Sequence, residues 1–191
     1  MPISKQEKEK TRSKMLESAC KLFMTKGYGA VTVDQVMQDS KLTRGAFYGH
    51  FTSKAHIYSE AINFAIANSK FVKTSQDAPC EHTWLAGLLD GYLSIEHVNG
   101  TNPCPLAFLA TDIVGRDEAA RSAYSQAYDN VNKVVLGYAQ KHTSCSKQEV
   151  LSLTAMIIGT VAISRTINDS NTVRELLAAC RSDAGLKLGG I

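Results

Sequence analysis

The stretch TVDQVMQDSKLTRGAFYGHFTSK, residues 32–54, decides how the rest of the chain is read. Thr32 precedes Gln35 by three residues, the spacing of a capping box, and Val33, Val36 and Met37 fall on one side of the short helix that would follow. Asp39, Ser40, Lys41 and Leu42 form a four-residue turn. Thr43 is placed to cap a third helix of about Arg44 to His50, with Leu42 before the cap and Phe47 one turn in, the positions of a hydrophobic staple. A helix this short does not persist alone in water. It must lean on neighbours, and such a helix usually presents its outer face to something. Two short helices joined by a tight turn, after a longer one, make the helix-turn-helix plan.

Upstream, Met15, Leu16, Ala19, Cys20, Leu22 and Phe23 recur as one face of a helix of about Ser4 to Lys26. Ser4 and Glu7 stand in capping-box spacing, and Gly27 is a stop signal. Downstream, a fourth helix starts near Ser53, with Ile57, Ala61, Phe64 and Ala65 on one face, and runs into a polar loop across residues 69–81. Further helices are expected over His82–His97, Leu106–Val114, Glu118–Lys141, from a Ser146/Glu149 box through Ala162, and from a Thr172/Glu175 box through Cys180. Residues 99–105 read as a loop, and the tail from Leu186 should fray. Clean period-two alternation is missing, and residues 3–78 contain no proline, so the expected fold is all-α.

The 191 residues, 44% of them apolar, suffice for a small module joined to a larger one. The longest apolar region, Leu151–Ile163, is interrupted by Ser152, Thr154 and Thr160, so no membrane span is expected. The charged N-terminus lacks a secretory core, and a cytoplasmic protein is expected. Cys20, Cys80, Cys104, Cys145 and Cys180 form no CxxC pair, and the five histidines are scattered, so no metal or cofactor is expected. No Gly-rich phosphate loop, HExxH or nucleophile elbow occurs, which leaves no basis for an enzyme. Net charge is +3, yet residues 1–54 hold ten Lys/Arg against five Asp/Glu. That basic first part suits an anionic partner, nucleic acid before membrane, although a solvated lysine-rich helix has the same composition.

The pattern Thr11, Arg12, Met15, Leu16, Ala19, Leu22, Phe23, Gly27, Tyr28, then Thr32, then Thr43-Arg-Gly-Ala-Phe-Tyr-Gly-His-Phe51 and Lys54, resembles the TetR/AcrR family of bacterial transcriptional regulators. The resemblance implies a three-helix DNA-binding domain over residues 1–54 and a helical effector-binding and dimerisation domain over 55–191. It also implies a homodimer formed by the last two long helices, repression from a palindromic operator in double-stranded DNA, and release by a small-molecule effector. Lys41 stands where the family usually has glycine; if the position needs positive φ, lysine costs on the order of 1 kcal/mol. Met37 and Ser40 replace the usual small alanines.

Within that frame Arg44 is the best base reader, because its planar fork matches guanine O6 and N7. A phosphate contact or a surface ion pair is the plain alternative. Gly45 and Ala46 let backbone and bases approach, and Ala46 could touch a thymine methyl. Thr32 and Thr43, at helix N-termini, suit phosphates. Tyr48, His50 and Lys54 match family positions that contact the DNA backbone. Lys5, Lys8, Lys10 and Arg12 would add diffuse attraction, while Phe47 and Phe51 belong to the core.

In the second domain Trp84, Leu88, Tyr92, Phe108, Tyr124 and Tyr128 are candidate effector-pocket residues, with plain core packing as the alternative for each. Cys104, between Pro103 and Pro105 at a helix start, could carry a stabilised thiolate and sense redox state or electrophiles, with a buried or idle thiol as the favoured alternative. A helical ligand-binding module without DNA activity is the rival reading; it would leave Arg44, Tyr48 and Lys54 unexplained.

Overall fold

The computed structural model describes residues 4–68, 80–100 and 104–191, which are helical with no strand among them. Helices α1 (Lys5–Ala30), α2 (Val33–Asp39), α3 (Arg44–Phe47) and α4 (Lys54–Ala67) precede residue 69. Then come α5 (Glu81–Tyr92), single turns α6 (Ile95–Val98) and α7 (Pro105–Phe108), and a 3₁₀ turn at Asp112–Gly115. The long helices α8 (Glu118–His142), α9 (Lys147–Ser164) and α10 (Ser170–Lys187) complete the chain. None of the described helices is long and apolar enough to cross a membrane. The expected loop segments 69–79 and 101–103 lie outside the described residues.

Local signals placed several ends correctly. Ser4 accepts the Glu7 N–H, Ser53 accepts the His56 N–H, and both Thr32/Gln35 and Ser146/Glu149 form complete capping boxes. Gly27, at φ 75° and ψ 167°, interrupts α1 in a conformation essentially reserved for glycine. Lys41 sits at φ 57°, so the position where the family favours glycine does demand a left-handed residue.

Elsewhere the structure corrects the reading. The helix expected over His82–His97 stops at Tyr92: Ser94 accepts the His97 N–H and starts a separate turn. Leu106–Val114 is not continuous; Leu109 ends α7 and a 3₁₀ turn follows. Regular α3 ends at Phe47, with His50 and Phe51 N–H groups both returning to the Phe47 carbonyl. The last helix is capped by Asp169, not Thr172, because a carboxylate accepts both the Asn171 and Thr172 N–H groups and the Thr172 hydroxyl besides. The tail does not fray: Leu188 is fully buried, and the Gly190 N–H bonds back to the Gly185 carbonyl.

Two apolar clusters result. The first gathers Met15, Ala19, Phe23, Val31, Val36, Phe47 and Phe51, but also Ile57, Tyr58, Ala61 and Ile62 from α4 and Leu109, Ile113, Ala120 and Ala123 from beyond it. The second gathers Leu85, Leu89, Val135, Leu153, Val161, Val173, Leu177 and Leu188. Helix α4 packs on α1 and on α8, while α9 packs on α10 and α8. The core beneath the helix-turn-helix therefore continues across the 54/55 boundary.

Candidate nucleic-acid interface

The short α3 is positioned by its inner face. Phe47 and Phe51 are buried, and their rings lie 5.7 Å apart. Thr43, Arg44, Gly45 and Tyr48 are then turned to solvent, and Tyr48 is 60% exposed with its ring edge-on to Phe47. A Cβ built on Gly45 would meet nothing within 4 Å, so the surface there is open. Ala46 and His50 are half-buried at the margin.

The threonines differ. The Thr32 hydroxyl accepts the Gln35 N–H, and the Gln35 side chain accepts the Thr32 N–H. Thr43 makes no side-chain cap, contrary to its sequence reading, which leaves its exposed hydroxyl available.

Arg44 does not hang free. Its Nη1 donates to Asp34 Oδ2 at 3.1 Å, both side chains being more than 60% exposed. The Tyr48 hydroxyl, and after it Asp34, holds the guanidinium above its usual value. An exposed pair of this kind contributes little and yields readily to a better anion. His50 is held below the ordinary histidine value, first by burial and then by Lys8 and Arg12. Lys54 places its Nζ 4.1 Å from the Tyr28 ring centroid; burial and then Arg116 lower its pKa.

Sequence reasoning missed the joint behind this face. Asp112, in the 3₁₀ turn, accepts the Tyr58 hydroxyl at 2.8 Å and the Tyr28 N–H at 3.3 Å, and pairs with Arg116 at 2.9 Å. Arg116 also lies over the Tyr28 ring at 4.5 Å. Burial alone would raise the Asp112 carboxyl; the Tyr58 hydroxyl, Arg116 and the Tyr28 N–H outweigh it and hold it below its ordinary value. The unusual backbone at Gly27 immediately precedes the Tyr28 N–H used in this joint. Arg12, read as diffuse attraction, instead pairs with Glu60 at 2.9 Å and lies over Phe51. Its partner is 48 residues away, beyond the reach of local spacing.

The sequence model of bacterial regulatory proteins of the tetR family matches residues 15–61, the span just described. Over those residues the chain is similar to the TetR family. It is 28% identical over 133 residues to the Transposon Tn10 TetC protein of Escherichia coli, a match covering 69% of this chain and 67% of that one. It is 27% identical over 189 residues to the HTH-type transcriptional regulator LmrA of Bacillus subtilis, covering 91% and 95%. The similarity to the HTH-type transcriptional regulator AcrR of Shigella flexneri, 32% over 65 residues, spans 34% of this chain and only 30% of that protein's length. Among solved structures, the reduced form of NemR from E. coli superposes with a TM-score of 0.76 at 15% identity, covering 92% and 95% of the two chains. FadR from Bacillus subtilis in complex with stearoyl-CoA gives a TM-score of 0.61 at 15% identity, covering 94% and 98%. At such identities the superpositions speak for the TetR-family fold.

Beyond the helix-turn-helix, Tyr92, Cys104 and Tyr124 converge. The Tyr92 hydroxyl is buried without a hydrogen bond of ordinary geometry and faces the Cys104 thiol, while Tyr124 donates to the Leu106 carbonyl at 2.7 Å. Trp84 and Leu88 are half-buried against the same second cluster. Phe108 lies at the junction of both clusters. Tyr128 stands apart, its hydroxyl 3.4 Å from the Leu151 carbonyl and from Thr154 Oγ1. At Cys104 this environment favours the idle thiol over a stabilised thiolate. Although the residue as a whole is half-buried, its thiol is enclosed, and burial pushes it up, against the weaker pull of Tyr92 and the Ala107 and Leu106 N–H groups. A buried, protonated thiol is a poor nucleophile.

Proposed function

We propose that this regulator reads a palindromic operator as a homodimer, with residues 1–54 as the reading head and 55–191 carrying effector binding and dimerisation. The observation that carries the reading is the exposed Thr43–Arg44–Gly45–Tyr48 face set on buried Phe47 and Phe51. Arg44 leaves Asp34 for a guanine edge; Thr43, Tyr48 and Lys54 meet phosphates; Thr32 donates its hydroxyl proton to a phosphate while still capping α2; Ala46 meets a thymine methyl. His50 starts neutral at pH 7 and takes part by its ring N–H. The dimer forms along α9 and α10, and reading a palindrome requires its two α3 helices to stand about one DNA turn, roughly 34–36 Å or a little more, apart. A small-molecule effector in the second unit, beside Tyr92, Cys104 and Tyr124, favours a dimer whose heads no longer match that spacing, so the operator is released.

Fluorescence anisotropy with duplexes tiling the DNA flanking the protein's own gene tests this. A single high-affinity site is expected, and Arg44→Ala should weaken it by about 1–3 kcal/mol, roughly 5- to 150-fold. If six to ten phosphates are neutralised, affinity should fall about 10³–10⁵-fold between 50 and 200 mM salt. No high-affinity site on any duplex overturns the reading in favour of a helical ligand-binding module, and an Arg44→Ala protein binding as well as wild type removes Arg44 as the base reader.

A further inference from the structure

A second cleft, of about 400 Å³, opens where α6 meets the turn between α9 and α10. Its lining includes the aliphatic side chains Ile95, Val98, Ile167 and Val173 together with Ser164, Arg165 and Arg174. The polar lining is built in an unusual way. Arg165 is half-buried, its guanidinium carbon 3.7 Å from the Phe108 ring centroid and one Nη bonded to the Val98 carbonyl. Among the described residues no carboxylate pairs with it. Burial accordingly lowers its pKa with nothing opposing the shift. A partly desolvated charge without a counter-ion is costly, and arginines in such places ordinarily face an anion.

Ser164 adds an independent sign. It is 1% exposed and its hydroxyl has no hydrogen-bond partner among the described residues, although a serine late in a helix can usually return to a carbonyl one turn back. Arg174 donates only long bonds, 3.4 Å to the Ser170 hydroxyl and 3.3 Å to the Asn171 side chain. The nearby Asp169 carboxylate is committed to the α10 cap through the Asn171 and Thr172 N–H groups and the Thr172 hydroxyl. The cleft thus offers a planar fork with one of its five donors used and a second guanidinium, with the orphaned Ser164 hydroxyl beneath and aliphatic side chains alongside.

We propose that this cleft binds a small organic carboxylate with a short apolar tail, the carboxylate held by Arg165, Ser164 and Arg174 and the tail laid on Ile95, Val98, Ile167 and Val173. The planar carboxylate matches the guanidinium fork, and the aliphatic lining favours it over inorganic phosphate, which has no tail to bury. The site does not depend on operator binding, so its test contains no DNA.

The test is isothermal titration of the full chain with sodium hexanoate at constant ionic strength, alongside hexanamide and sodium phosphate. Saturable one-to-one binding of hexanoate is expected, at least tenfold tighter than hexanamide or phosphate. Arg165→Met keeps an aliphatic stem over Phe108 and should weaken hexanoate tenfold or more; Ser164→Ala should weaken it severalfold. If Arg165→Met does not fold, Arg174→Gln, an exposed position, supplies the same arm and should weaken hexanoate severalfold. Absence of saturable binding at millimolar hexanoate, equal binding of hexanamide, tighter binding of phosphate, or hexanoate affinity unchanged in the arginine variants overturns the proposal.

Discussion

Replacing Asp112 by alanine probes the joint between the reading head and the rest of the molecule. The carboxylate accepts the fully buried Tyr58 hydroxyl and the Tyr28 N–H, and pairs with Arg116. Hydrogen bonds to a charged group contribute roughly 1.5–3 kcal/mol, and a donor left buried without a partner costs about 1–3 kcal/mol. The Arg116 pair, whose side chains are 26% and 20% exposed, adds only a few tenths. Because the stranded Tyr58 hydroxyl and the lost bonds are two views of one deletion, Asp112→Ala should cost about 3 kcal/mol. Tyr58→Phe removes one of three partners and should cost about 1 kcal/mol. The double variant should then fall short of the sum by more than about 0.5 kcal/mol, the mark of residues in direct contact. Urea unfolding followed by circular dichroism at pH 7 gives all three values. The sign with pH also follows: a carboxyl held below its unfolded value of about 3.9 contributes fully above that value, and the contribution is lost as pH falls through the lower folded pKa. The difference between Asp112→Ala and wild type should therefore narrow as pH falls. A loss below 0.5 kcal/mol at pH 7, or strict additivity with Tyr58→Phe, would refute the assignment of this carboxylate as the joint.

Two further outcomes are expected. Lys41→Gly relieves a left-handed backbone and should raise stability by about 0.5–1 kcal/mol in the same urea assay; a decrease would mean that the lysine side chain compensates its conformation. Leu188→Ala should cost about 2–4 kcal/mol, since this side chain is completely buried, whereas a frayed tail would register no change.

What the sequence could disclose was what lies within a few residues. The boxes at Thr32 and Ser146, the stop at Gly27, the cap at Ser53 and the burial of Phe47 and Phe51 all follow from spacing over one or two turns. Where two local signals compete, spacing misleads. Thr172 and Glu175 imitate a capping box, but Asp169 is the stronger acceptor and already holds the Thr172 hydroxyl. Ser94 looks like an interior helical residue until its hydroxyl is seen accepting the His97 N–H. The Asp112 joint links residues 84 and 54 positions apart, and the Arg12–Glu60 pair 48, so neither leaves a local trace. Cys104 was legible as a helix start, but the enclosure that raises its thiol comes from elements distant in the chain.

The single turn of α3 has an evolutionary consequence. Its bearing is set by Phe47 and Phe51, which lie inside, while residues 43–45 and 48 contribute almost nothing to cohesion. Exchanges at those outer positions leave folding nearly untouched, because substitutions away from packed or satisfied groups usually stay within about 0.5 kcal/mol. Duplicated copies of such a gene can therefore drift toward new target sites through viable intermediates, keeping the same scaffold while their vocabularies diverge.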